Sequence, residues 1–283
     1  MEIKKVGVVG CGLMGSGIAQ VCAQAGYLTI VSEINDAFLN KGLGSIKSSL
    51  EKAVAKGKVG EGDRDAILGR LKGTTNMGDL KDCDFVIEAA FEDIELKKKV
   101  FASLDDICHK HAILSTNTSS MSVIHMAAAT KRMQQVVGTH FFNPVPVMKL
   151  VEVVRTVASS DESIDIAKKF CESLGKAVIL AKDTPGFIAN RIWIPFALDA
   201  MRLYESGVAS KEDIDNGMKL GYNHPMGPLE LSDLIGLDTL VDAANSMYEE
   251  FKEPRFAPPT VLKKMVIAGY LGRKTGKGFY DYK

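Results

Sequence analysis

The run Val6-Gly7-Val8-Val9-Gly10-Cys11-Gly12-Leu13-Met14-Gly15 decides the fold. A short β-branched segment leads into it, and the helix-forming stretch Leu13–Ala25 leads out. Glycines at 10, 12 and 15 spell G-x-G-x-x-G between the two. Gly10 serves a tight turn, Gly12 lets backbone approach a pyrophosphate, and Gly15 lets helix and strand pack closely. The helix N-terminus then offers free N–H groups and partial positive charge to phosphates. Glycine-rich turns also occur without a ligand, so the triplet needs its context. That context is Glu33, which closes the second strand-like run 21 residues after Gly12, near the ~20 expected of an acidic ribose ligand. Its carboxylate suits two ribose hydroxyls and repels a 2′-phosphate. No Lys or Arg follows before Lys41. The pattern therefore favours NAD over NADP.

Outward from this turn, strand-like runs recur at Val6–Val9, Tyr27–Val31, Phe85–Glu88, Ala112–Ser115, Gln135–Phe142, Lys149–Val154 and Ala177–Ala181. Helical stretches separate most of them: Leu13–Ala25, Ala37–Lys56, Ile94–Cys108 and Ile164–Leu174. Such alternation predicts an α/β domain, a Rossmann-like, mainly parallel sheet covered by helices. Residues 37–71 read as an inserted helical hairpin. The runs Gln135–Phe142 and Lys149–Val154 have no helix between them and should pair antiparallel. After Lys182 the pattern becomes helical, with no convincing strand before Gly278–Tyr282. This predicts a Rossmann-like domain over 1–183 and an all-helical C-terminal domain over 184–283.

Composition narrows the function. Thirty-five Lys+Arg balance thirty-five Asp+Glu over 283 residues, without the basic excess of a nucleic-acid binder. No apolar run approaches the ~20 residues of a membrane span. Met1 runs almost at once into Ile3–Val9, which leaves no room for a targeting peptide. Five cysteines without a CxxC pair argue against a disulfide framework and for a reducing, cytoplasmic setting. Cys108-His109-Lys110-His111 lacks further ligands at convincing spacing, so no metal is expected.

His140 ends one strand of the antiparallel pair, and Glu152 lies in the other. Both are six residues from a turn centred near 146, which places them opposite each other. A carboxylate beside a histidine fixes its tautomer and stabilises its protonated form. A general base for alcohol oxidation needs both. A histidine at a strand end also serves purely structural roles. Ser115-Thr116-Asn117-Thr118-Ser119-Ser120 follows another strand, at the edge where ligands bind in doubly wound folds; it equally suits a helix N-cap. Leu39, Leu43, Ile46, Leu50 and Val54 form an apolar helix face. Ser49, Lys52 and Lys56 share the other face, which reads either as a polyphosphate site or as a solvated charged surface.

Taken together, these segments resemble the L-3-hydroxyacyl-CoA dehydrogenase family, bacterial 3-hydroxybutyryl-CoA dehydrogenases in particular, along essentially the whole chain. Beyond the glycine turn the likeness rests on Ser115–Ser120, His140-Phe-Phe-Asn-Pro-Val-Pro146 and Lys149-Leu-Val-Glu-Val153. It continues in Asp183-Thr-Pro-Gly-Phe-Ile-Ala-Asn-Arg191, Asn223-His-Pro-Met-Gly-Pro228 and Gly272-Arg-Lys-Thr-Gly-Lys-Gly-Phe-Tyr280. The resemblance implies an NAD-dependent oxidoreductase interconverting (3S)-3-hydroxybutyryl-CoA and acetoacetyl-CoA, in fatty acid or butyrate metabolism. It implies a catalytic His140, an orienting Glu152, and Ser119 and Asn190 near the reacting oxygen. Cofactor contacts carry over to Gly10, Gly12, Leu13, Met14, Gly15, Glu33, Glu92, Lys97, Ser119, Asn143 and Lys274. Coenzyme A contacts carry over to Ser49, Lys52, Lys56 and Ser119. The helical domain is expected to help hold substrate and to form a homodimer. Cys11 stands where Ala is more usual; it is expected to crowd the cofactor slightly and to add an oxidisable thiol. Two alternatives remain: a sugar-acid (L-gulonate-type) 3-dehydrogenase, which needs no Ser49, Lys52 and Lys56, and a non-catalytic NAD-binding protein, which needs no His140–Glu152 pair.

Overall fold

The computed structural model describes residues 2–282. Two compact units divide between Thr184 and Pro185. The first contains β1 (Lys5–Val9), α1 (Leu13–Gln24), β2 (Leu28–Ser32), α2 (Asp36–Ala55), α3 (Glu61–Gly69), β3 (Leu71–Thr74), β4 (Phe85–Glu88) and α4 (Ile94–Ile107). It continues with β5 (Ile113–Thr116), α5 (Ile124–Ala127), β6 (Val136–Phe141), β7 (Leu150–Arg155), α6 (Asp161–Ser173) and β8 (Ala177–Lys182). The strands form one sheet in the order β3-β2-β1-β4-β5-β6-β7-β8. Strands β1 to β6 are mutually parallel. Strand β7 runs antiparallel to β6, and β8 runs parallel to β7.

The central strands carry apolar residues on both faces, because helices cover both. Val6, Val8, Phe85, Ile87 and Val137 are buried with Ile18 of α1 and Phe170 of α6. Phe85 and Phe170 stack with ring centroids 4.3 Å apart. Each buried aliphatic or aromatic side chain of this kind contributes about 1.5–3 kcal/mol. Gly138 of β6 keeps one contact close: a Cβ there would lie 2.7 Å from Val154 Cβ and 3.1 Å from a Val123 methyl. The strand order reverses direction at β1, between β2 and β4, and ligands of doubly wound sheets bind beyond the carboxyl ends of strands at such a point.

Two sequence expectations need correction. Leu71–Thr74 is an edge strand that the alternation does not reveal. It is four residues long, Leu-Lys-Gly-Thr, only partly buried, and paired on one side alone. Gly278–Tyr282 is not a strand; only the isolated bridges Gly272↔Lys277 and Lys277↔Asp281 form there.

The second unit contains α7 (Ala189–Glu205), α8 (Lys211–Gly221), α9 (Pro228–Ile235), α10 (Leu237–Phe251) and α11 (Thr260–Ile267) around Leu198, Met201, Leu229, Leu240, Phe256 and Leu262. Two buried carboxylates organise its polar interior. Asp215 of α8 accepts from Leu229 N, Glu230 N and the Tyr280 hydroxyl, and so caps α9. Asp233 of α9 accepts from Phe279 N at 2.9 Å, Tyr280 N at 2.9 Å and the Tyr282 hydroxyl at 3.0 Å. A Cβ at Gly278 would lie 1.9 Å from Asp233 Oδ1. This contact gives the glycine of the Gly272–Tyr280 motif a structural reason. Burial raises Asp233 above the ordinary aspartate value, against the pull of its three donors.

Candidate active site

The glycine turn leaves β1 with Gly10 at φ +94°, a conformation that favours glycine. A Cβ at Gly10 would lie 2.6 Å from Ala89 O, and one at Gly15 2.0 Å from Gly10 O. These two glycines let β4, the turn and α1 close on one another. Gly12 differs: it is exposed, and a Cβ there would meet nothing within 4 Å. Gly12 is the N-cap of α1, with no capping side chain and no acidic residue in the first turn. Leu13 beside it is 72% exposed, and Met14 is half-buried. An open, positively polarised helix start of this kind fits a phosphate. Glu33 is fixed beside it: Oε2 accepts from Cys11 N and Oε1 from Ile34 N, each at 2.7 Å. The open turn and the anchored acid fit the pyrophosphate and ribose of NAD.

Cys11 does not crowd this face. Its Sγ lies where a Cβ on Gly42 of α2 would stand only 2.2 Å away, and the residue is 3% exposed. Burial, with Glu33 nearby, pushes the thiol up to about 11. It is therefore a protonated packing group and not an exposed oxidisable thiolate.

Strand β6 delivers the histidine. His140 and Glu152 are register partners, as the turn centre predicts. His140 Nδ1 lies 2.6 Å from Glu152 Oε2, with His140 5% and Glu152 0% exposed. The Phe142 ring lies 4.5 Å from the imidazole. A carboxylate at Nδ1 fixes the tautomer and the orientation of the imidazole. Asn117 Oδ1 accepts from Phe141 N at 2.9 Å and joins the end of β5 to the end of β6. Ser119 follows in a half-buried turn.

A second buried pair lies at the end of β4. Lys97 Nζ is 2.7 Å from Glu88 Oε1 and 3.5 Å from Glu92 Oε2. Glu88 also accepts from Ala90 N and Thr116 Oγ1, both at 2.7 Å. Thr118 Oγ1 donates to Glu92 at 3.0 Å. Lys97 and Glu88 are about fully buried, whereas the Glu92 side chain is 44% exposed. Glu92 is therefore the solvent-facing member of this network. The sequence places the run Ser115–Ser120 at a ligand-binding edge but gives Thr116, Asn117 and Thr118 no individual roles. Glu88 was missed; its local signal is an acid closing an otherwise apolar strand.

The remaining candidates occupy separate places. Ser49, Lys52 and Lys56 lie along one face at the end of α2, with both lysines exposed. Asn143 is exposed and precedes a cis bond to Pro144. In the second unit, Asn190 is half-buried in the first turn of α7. Lys274 lies in a short turn, with Nζ 2.6 Å from Asp238 Oδ1.

Comparison with known proteins identifies the family. Residues 5–184 match the NAD-binding domain of 3-hydroxyacyl-CoA dehydrogenase, and residues 186–282 match its C-terminal domain. The 3-hydroxybutyryl-CoA dehydrogenase of Mycobacterium tuberculosis is 49% identical over 282 residues, covering 99% of both chains. That of Clostridioides difficile is 46% identical, covering 98% of this chain and 99% of the relative. The solved (S)-3-hydroxybutyryl-CoA dehydrogenase of Ralstonia eutropha superposes with a TM-score of 0.96 at 46% identity, covering 100% of both chains. With the open glycine turn, the anchored Glu33 and the His140–Glu152 pair, these matches make the chain a member of the 3-hydroxyacyl-CoA dehydrogenase family.

Proposed function

We propose that the protein interconverts (3S)-3-hydroxybutyryl-CoA and acetoacetyl-CoA with NAD. The observation that carries this reading is the buried His140–Glu152 pair, 2.6 Å apart. NAD, when bound, supplies the acceptor for the hydride leaving C3. His140 takes the hydroxyl proton on Nε2, and Glu152 stabilises the imidazolium that results. In the reverse direction the same nitrogen returns the proton. Ser119 and Asn190 are assigned to the substrate oxygen. Gly10, Gly12, Leu13, Met14, Gly15 and Glu33 hold the cofactor's phosphates and ribose, and Glu92, Lys97, Ser119, Asn143 and Lys274 complete its contacts.

Ser49, Lys52 and Lys56 are assigned to the phosphates of coenzyme A. The exposure of Lys52 and Lys56 on one helix face with Ser49 supports that role over the sugar-acid alternative, which has no use for two lysines there. The second unit is assigned to substrate binding and to a homodimer. Support for the dimer comes from exposed apolar side chains such as Ile192, Val208, Leu220 and Ile267, at 69, 71, 85 and 87%. No described helix is long and apolar enough to cross a membrane. A cytoplasmic place in butyrate or fatty acid metabolism completes the proposal.

The test is the loss of NADH absorbance with acetoacetyl-CoA, run beside NADPH and beside free acetoacetate. Fast loss with NADH and acetoacetyl-CoA alone is expected. Turnover of a sugar acid in its place, or NADH binding without turnover of any 3-oxoacyl-CoA, would overturn the proposal.

A further inference from the structure

Asp183 closes β8, yet its carboxylate serves a segment some sixty residues earlier. Oδ1 accepts from Val123 N at 2.8 Å. Oδ2 accepts from Ile124 N and from Ser122 Oγ, both at 2.8 Å. The backbone of Asp183 is itself fixed, since its N–H donates to Arg155 O at 2.9 Å. Helix α5 begins at Ile124 and has no capping side chain at its own N-cap, Val123. Asp183 caps it from a distance, with three donors on one carboxylate.

The segment so held begins at Ser119. On its other side Thr118 Oγ1 accepts from Met121 N at 3.2 Å and from Ser120 N at 3.4 Å. Thr118 is in turn tied to Glu92. Ser119 is thus bracketed by two side-chain clamps, Thr118 two residues beyond β5 and Asp183 directly after β8. Val123, fully buried beside Gly138 of β6, ties the clamped turn to the strand that carries His140.

We propose that Asp183 is a positioning residue: by gripping residues 122–124 it fixes where Ser119 stands, and through Ser119 it sets the rate of turnover. The inference rests on the reading of Ser119 as the serine that meets the substrate oxygen. Misplacing a reacting group by about 1 Å costs up to about a hundredfold in rate. The effect falls chiefly on kcat, because the Asp183 carboxylate grips Ser122, Val123 and Ile124 and reaches substrate and cofactor only through Ser119.

The experiment is a double-mutant cycle on the full-length protein, with Asp183→Ala, Ser119→Ala and both together. Ser122→Ala serves as a milder variant that removes one of the three bonds. Readouts are kcat for acetoacetyl-CoA reduction, the NADH Kd by fluorescence titration, and the kinetic isotope effect with deuterated NADH. The expected result is a fall in kcat of about tenfold for D183A, an NADH Kd moved no further than in S119A, and a larger isotope effect. The double variant should be no slower than S119A, and S122A should show a smaller loss of the same kind.

Losses that multiply in the double variant would overturn the positioning role, because Asp183 would then act apart from Ser119. An unchanged kcat in both D183A and S122A would overturn it too. Wild-type turnover in S119A would instead sink the reading of Ser119 itself, and the Asp183 inference with it. If D183A does not fold, the S122A/S119A cycle gives the same discrimination.

Discussion

Glu152 in the first unit and Asp233 in the second are equally buried carboxylates, 0% and 1% exposed, put to opposite uses. Asp233 is matched to donors that do not give up their protons near neutral pH: two backbone N–H groups and the Tyr282 hydroxyl. Its neighbourhood pushes Tyr282 up to about 12. Glu152 faces an imidazole, a group that can both take and give a proton. Burial therefore marks neither one as catalytic. The distinction lies in whether the partner can exchange a proton while the carboxylate keeps its charge. Glu88 stands between the two cases. It is buried like Glu152, but it is matched by a lysine, a threonine and a backbone amide.

The comparison breaks most visibly at Glu152. Glu152→Gln keeps the shape and removes the charge, so kcat should fall by roughly 10²- to 10⁴-fold. The NADH Kd, read by fluorescence titration, should hold. An active Gln variant would put Glu152 in the same class as Asp233. Asp233→Asn should do the reverse. It sets an amide against the three donors and should cost about 2–4 kcal/mol of stability, seen as a lower Tm, with kcat per folded molecule retained.

The pH dependence sharpens the same contrast. Because Asp233 is raised in the folded state, chiefly by burial, the part of its contribution that depends on titration is fully present below the ordinary aspartate value and is lost as pH rises through the raised one. The Tm gap between wild type and D233N should widen as pH falls from neutral toward the ordinary aspartate value. A narrowing gap would contradict the assignment. A smaller effect is expected at the cofactor turn. Glu33→Ala removes the acid fixed by Cys11 N and Ile34 N, and should reduce the preference for NADH over NADPH about tenfold, some 1.4 kcal/mol. Relative kcat/KM values for the two cofactors measure it.

The parts of this design that were legible in the sequence are those whose partners lie close along the chain. The glycine turn and Glu33 belong to one strand–helix–strand unit. His140 and Glu152 are twelve residues apart across a single turn, so the pleat and the turn centre fix which side chains meet. The rest depends on distant partners. Asp183 reaches back 60 residues to Val123, and Asp233 reaches forward 46 to Phe279. No local periodicity announces either. The same blindness explains why Gly278–Tyr282, apolar and aromatic, reads as a strand: what holds it is a carboxylate on α9, not a ladder. Cys11 illustrates the complementary error. Its place in the turn suggested contact with the cofactor, but the space that receives it is supplied by Gly42, a helix away.

The central claim is that the buried histidine is the group that moves the proton, and His140→Gln tests it most directly. The measurement pairs the rate of NADH oxidation by acetoacetyl-CoA with an NADH titration on the same preparation. Turnover should fall by roughly 10²- to 10⁴-fold, while NADH binds as in the wild type and the thermal transition stays in place. Retained turnover would contradict the account. So would loss of NADH binding together with unfolding, which would make His140 a structural residue.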